Sequence, residues 1–219
     1  MDFYSIIPKI AIFAIPVIFA ITVHEAAHGY VARLFGDNTA YMLGRVTINP
    51  IPHIDPFGTV ILPLIMLLIP GGFLFGWAKP VPINFNALRN PKRDMLFVAA
   101  AGPAANFLMM IGWAILAKVS ILMGDASYAV PLRLMSSAGI FINAILLVFN
   151  LLPLPPLDGG RVAVSLLPRA YGNVLARIEP YGFIVIALLL FTGVLGSILG
   201  PLVNGLVNGV VSIFALQSF

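Results

Sequence analysis

Five apolar stretches, at residues 6–35, 95–123, 130–152, 181–199 and 202–216, dominate this chain of 219 residues. About 20 apolar residues carry a helix across the roughly 30 Å hydrocarbon core of a bilayer. Only 9% of the residues are charged, 60% are hydrophobic, and the mean hydropathy is +1.04. A soluble domain carries about 25% charge. So few charges cannot cover a water-facing surface, and lipid must surround most of the chain. A single membrane domain over 1–219 is expected, since no polar low-complexity stretch marks a second one. The net charge of +4 is scattered through loops and makes no basic face for nucleic acid. The start lacks a basic segment, and the first apolar stretch carries His and Glu near its end, which reads as a retained helix. There is no cysteine, so a metal site would have to use His and carboxylate ligands.

A sixth apolar run, 58–69, has only about 12 residues before Pro70-Gly71-Gly72, a length that fits a re-entrant segment. If it does not span, nine of the twelve basic residues (Arg33, Arg45, Lys79, Arg89, Lys92, Arg93, Arg161, Arg169, Arg177) share one side, and the opposite loop near 124–129 carries only Asp125. The positive-inside rule makes the basic side cytoplasmic. The expected fold is therefore an all-α polytopic membrane protein. It has about five transmembrane helices, the re-entrant segment and a small strand-like element at 81–85 on the cytoplasmic side, which offers an edge for an extended peptide.

The chemistry lies late in the first apolar stretch, at His24-Glu25-Ala26-Ala27-His28. Helix positions i and i+4 share a face, so both imidazoles can reach one Zn²⁺, with Glu25 beside it as general base for a water that zinc acidifies toward a pKa of about 7. Only three His and two Glu occur in the whole chain, and three of those five residues fall in this window. Burying Glu25 in an apolar helix is expensive, which favours a functional reading over a satisfied core histidine. A third ligand is needed. Glu179, before Pro180, reads as a solvated helix-start residue, and His53, in Pro52-His53-Ile54-Asp55-Pro56, reads as a turn histidine bonded to local backbone. Asp158 is preferred over both. Prolines 153, 155 and 156 prevent regular helix before it, and Gly159 and Gly160 permit close backbone approach after it. Irregular backbone at membrane depth is tolerated only where it lines a cavity or is packed in protein. Parity agrees: residues 24–28 and 158 both end apolar stretches, and they reach one side only if a single crossing, 95–123, separates their helices.

The pair His24-Glu25-Ala26-Ala27-His28 and Asn150-Leu151-Leu152-Pro153-Leu154-Pro155-Pro156-Leu157-Asp158-Gly159, with Gly102-Pro103-Ala104-Ala105-Asn106 between them, resembles the site-2 protease family of intramembrane zinc metalloproteases. The stretches Gly44-Arg45-Val46-Thr47-Ile48-Asn49-Pro50 and Gly76-Trp77-Ala78-Lys79-Pro80-Val81-Pro82 look like its small prokaryotic branch without PDZ or CBS domains. The resemblance implies one zinc ion on His24, His28 and Asp158, Glu25 as general base and later proton donor, and Asn150 hydrogen-bonding the substrate carbonyl or its oxyanion. Asn106, Gly102 and His53 are candidates for bracing the site or meeting substrate. The implied partner is a transmembrane protein substrate in the bilayer of a cell membrane, cut toward the cytoplasmic side. Two other readings are a metal transporter and a proteolytically silent homologue. A transporter would need more polar residues across the membrane than these helices carry.

Overall fold

The computed structural model describes residues 3–62, 65, 76–124 and 126–216. Its helices are α1 (Phe3–Leu34), α2 (Thr39–Met42), α3 (Pro91–Leu122), α4 (Ala129–Asn150), α5 (Asp158–Leu166), α6 (Arg169–Ala176), α7 (Glu179–Phe191) and α8 (Val194–Ile213). Four segments are long and apolar enough to cross a membrane, Ile12–Leu34, α3, α4 and α8, or five if the bent pair of α6 and α7 is counted as one. Large apolar side chains such as Phe107, Leu108, Ile115, Leu122 and Phe141 stand exposed along these helices, where a bilayer rather than water meets them without cost. This is a multi-pass membrane protein.

Contacts along the helices fix their directions. His28 meets Val98 and His24 meets Asn106, so α1 and α3 are antiparallel. Asn106 meets Asn143, and Trp113 lies against Gly139, so α3 and α4 are antiparallel as well. α1 and α4 therefore run the same way and deliver residues 34 and 150 to one side. Gly139 permits this packing, because a Cβ there would collide with the Trp113 indole. Trp113, Met110, Ile140 and Ala144 form the main core with Val203 and Val210 of α8. A smaller cluster, Ala32, Leu88, Met95, Val98 and Ala99, seals the end of the α1–α3 pair.

Three expectations change. First, the strand-like element is not present. Among the described residues no strand occurs, and 81–84 has neither helix nor ladder. The reason is the fate of its donors: Pro80 and Pro82 have none, Val81 N–H donates to Glu25 Oε2 at 2.8 Å, and Asn84 N–H to Asp37 Oδ2 at 2.7 Å. Second, the boundary between the last two apolar stretches moves. The turn falls at Thr192 and Gly193, where Gly193 has φ 75°, the left-handed conformation that ends helices. Gly200 and Pro201, which lie between the expected stretches 181–199 and 202–216, sit inside α8. α7 thus has 13 residues, about 20 Å at 1.5 Å per residue, too short to cross alone. Third, the re-entrant segment expected at 58–69 is not supported: its first residues, 58–61, close a single π-helical turn that begins at Pro56 (Pro56–Ile61). Residues 63, 64 and 66–69 lie outside the described residues, as does Asp125.

Candidate metal centre

The side chains of His24, His28 and Asp158 meet where the C-terminal part of α1 faces the start of α5. Asp158 Oδ2 lies 3.2 Å from His24 Nε2 and 3.3 Å from His28 Nε2, and the two Nε2 atoms are 3.1 Å apart. All three residues are buried. The i, i+4 spacing stacks the imidazoles on one face of α1. Gly102 of α3 lies directly under them, and a Cβ there would overlap His28 Nε2 and the His24 ring. The glycines after Asp158 are equally constrained: side chains at Gly159 and Gly160 would strike the backbone of Leu151, Leu152, Leu154 and Pro155. The Asn150–Asp158 loop therefore folds onto its own following helix, and that places the carboxylate.

The outer nitrogen of each ring is occupied. His28 Nδ1 donates to Val98 O at 2.7 Å, an acceptor only. His24 Nδ1 hydrogen-bonds Asn106 Oδ1. In its neutral form each ring therefore carries its proton on Nδ1 and turns an Nε2 lone pair inward. Two lone pairs 3.1 Å apart repel unless a cation sits between them. Asp158 Oδ2, also buried, accepts no hydrogen bond despite both nitrogens beside it. A carboxylate oxygen and two imidazole nitrogens, within 4.8 Å of one another, are a donor set that suits zinc, and the ring partners orient ligands as metal sites require.

A cavity of 620 Å³ opens on this cluster, lined by Glu25, Asn150 and Arg161 among polar groups and by Trp77, Phe149, Phe183 and Ile186 among apolar ones. Glu25 Oε2 accepts from Val81 N–H. Asn150 Nδ2 donates to Leu146 O at 3.0 Å, along its own helix. Asn106 is wholly buried and bonds Asn143 as well as His24. His53 stands apart. It is buried in its turn, bonds Thr47 O through Nε2 at 3.1 Å, and braces the neighbouring segment through Lys79 N–H to its carbonyl. Burial is the main cause that pushes its imidazole below the usual value. Glu179 pairs with Arg161 at 3.4 Å, away from the cluster.

Across most of its length, at 12–128 and 114–193, the chain matches the model of Peptidase family M50. The chain belongs to this family, the site-2 protease family of metallopeptidases. It is 41% identical over 84% of its length to "Putative zinc metalloprotease YwhC" of Bacillus subtilis, of which it covers 81%. It is 29% identical over 79% of its length to "Putative zinc metalloprotease Rip2" of Mycolicibacterium smegmatis and 28% identical over 81% to the Mycobacterium tuberculosis protein of the same name, covering 64% and 66% of them. No solved structure matches the chain. As a member of the family it is a membrane metalloprotease by relationship, and its His-His-Asp cluster is a group able to hold a metal.

Sequence reasoning missed three residues. Asn143, wholly buried, supports Asn106. Its signal was a second amide in the largely apolar stretch 130–152, two turns before Asn150. Arg45, also buried, donates to Lys79 O at 2.7 Å and to Pro80 O at 3.4 Å. Asp37 accepts from Asn84 N–H. Arg45 and Asp37 anchor the segment that reaches Glu25, and nothing in their spacing announced it.

Proposed function

We propose that this chain is an intramembrane zinc endopeptidase that hydrolyses a peptide bond in or near a transmembrane segment of another protein. The observation that carries this reading is the convergence of His24 Nε2, His28 Nε2 and Asp158 Oδ2 on the cavity that also holds Glu25 and Asn150. His24, His28 and Asp158 hold one zinc ion. When bound, zinc supplies a Lewis acid for the peptide carbonyl and an acidified water at neutral pH. Glu25 takes the water proton and later returns it to the leaving amine. Val81 N–H anchors one of its carboxylate oxygens, which leaves Oε1 for the proton. Asn150 leaves Leu146 O by a rotamer change and donates to the developing oxyanion. Asn106 and Gly102 brace the imidazoles and do not touch substrate. His53 braces the loop bearing Lys79 and Val81.

The apolar walls at Trp77, Phe149, Phe183 and Ile186 suit a hydrophobic, membrane-derived peptide. Its carbonyls are tied in i→i−4 bonds while helical, so it enters locally unwound. The basic side of the molecule, which carries the cluster, faces the cytoplasm of a cell membrane.

The test is zinc content and cleavage of a reconstituted transmembrane substrate by wild type, Glu25→Gln, His24→Ala and Asp158→Ala. Glu25→Gln keeps zinc and loses at least about 10²-fold in rate, the scale of a general base. His24→Ala and Asp158→Ala lose both. A wild type without stoichiometric zinc, or a Glu25→Gln that cleaves normally, overturns the reading.

A further inference from the structure

The two ligand histidines are held by different means. His28 Nδ1 faces a backbone carbonyl, which can only accept. His24 Nδ1 faces a side-chain amide, and an amide turned end for end would present N–H₂ in place of oxygen. The ring would then have to accept at Nδ1, carry its proton on Nε2, and lose the inward lone pair. The direction of the Asn106 amide therefore decides whether His24 is a ligand at all.

We propose that Asn143 is a positioning residue that sets this direction: a buried chain of hydrogen bonds from Gly139 O through Asn143 and Asn106 fixes the His24 tautomer competent for metal. The proposal rests on the reading of His24 as a ligand. Gly139 O is an acceptor only, and Asn143 Nδ2 donates to it at 2.8 Å. The Asn143 oxygen is thereby turned toward Asn106, whose Nδ2 donates to it at 2.9 Å. Asn106 Oδ1 is then left for His24, which must donate from Nδ1. Both amides are 0% exposed, so water cannot substitute for either partner. One weaker contact points the same way, Asn106 Nδ2 to Ala20 O at 3.4 Å, so loss of Asn143 frees the amide only partly. The order of polarity runs along the chain from one fixed backbone carbonyl to the ligand nitrogen, and no charge is buried to achieve it. Residues that orient a ligand imidazole in this way are worth about 10–100-fold in metal affinity.

The variants are Asn143→Leu, which removes the acceptor for Asn106, and Asn143→Leu combined with Asn106→Asp. A carboxylate presents an oxygen to His24 whichever way it turns, so it no longer needs Asn143. Two readouts apply to the purified, detergent-solubilised protein. One is zinc affinity by chelator competition. The other is the imidazole tautomer of the metal-free protein by ¹⁵N NMR, tractable because the chain has only three histidines. Asn143→Leu is expected to bind zinc about 10-fold or more weakly and to shift His24 from the Nδ1–H form toward a mixture, with His28 unchanged. The double variant is expected to regain both the tautomer and most of the affinity. An unchanged His24 tautomer in Asn143→Leu overturns the proposal, and so does weaker binding that Asn106→Asp does not rescue, since that is the mark of lost packing alone. If wild type itself binds no zinc, the ligand reading fails, while the tautomer measurement still decides the relay.

Discussion

His24 and His28 are set apart from ordinary buried imidazoles by the acceptors at their Nδ1 atoms, which leave both Nε2 atoms facing Asp158 Oδ2, a buried oxygen with no donor of its own. Their room comes from the missing side chain at Gly102. Gly102→Ala inserts a methyl group where the two rings lie, and overpacking of that size costs about 1–3 kcal/mol. Zinc affinity is expected to fall by at least about fivefold while the helices still assemble, and isothermal titration with zinc checks it. His53 gives a different residue-scale prediction. Its folded pKa is lowered, first by burial and also by Arg45, so the neutral ring is the form the fold prefers. The stabilisation is complete above the unfolded value near 6.5 and is lost as pH falls through the lower folded value. Melting temperature in detergent should therefore drop between about pH 7.5 and pH 5 more steeply in wild type than in His53→Gln. Parallel slopes would show that His53 contributes nothing to the pH dependence.

At the scale of elements, the segment 76–84 is shaped by side chains rather than by a sheet. Arg45 caps the Lys79 and Pro80 carbonyls, Asp37 takes the Asn84 amide, and Glu25 takes the Val81 amide. Hydrogen bonds to charged groups are worth about 1.5–3 kcal/mol. Arg45→Ala should speed hydrogen exchange of the Val81 amide by about tenfold or more, lower turnover, and leave zinc content unchanged. Exchange at wild-type rate would show that the segment is held by other contacts. Side-chain docking likewise shapes α7. Gly182 lets it dock on Pro155, whose carbonyl would collide with any side chain there, and Gly193 ends it early. Phe183 and Ile186 thereby reach the cavity wall.

At the scale of the whole molecule, α1, α3 and α4 form the unit that brings distant motifs together, with α8 closing the core from the side. Lys118 near the end of α3 donates to Ala215 O beyond α8, so the C-terminal end of α8 lies opposite the metal cluster. The proposed orientation is directly testable because the chain has no cysteine. Single cysteines at the exposed positions Asn86 and Ala126 should label with a membrane-impermeant thiol reagent from opposite sides, Asn86 from the cytoplasmic one. Labelling of both from one side would contradict the helix directions, and reversed labelling would contradict the orientation.

Membrane residence, the approximate helix spans and the two polar clusters were legible in the chain itself. Apolar length and scarce charge follow from composition alone, and the spacing of His24 and His28 is a property of any α-helix. Parity of the crossings brings even the distant Asp158 to their side. Tertiary structure decided the rest. The expected strand depended on which groups would take the Val81 and Asn84 amides, and those acceptors, Glu25 and Asp37, are 56 and 47 residues away. The break at Gly193 rather than between residues 199 and 202 depended on which residue could adopt a left-handed turn between packed helices. The part played by Asn143 exists only because α3 and α4 run antiparallel, and a hydrogen bond across two helices leaves no period in either of them.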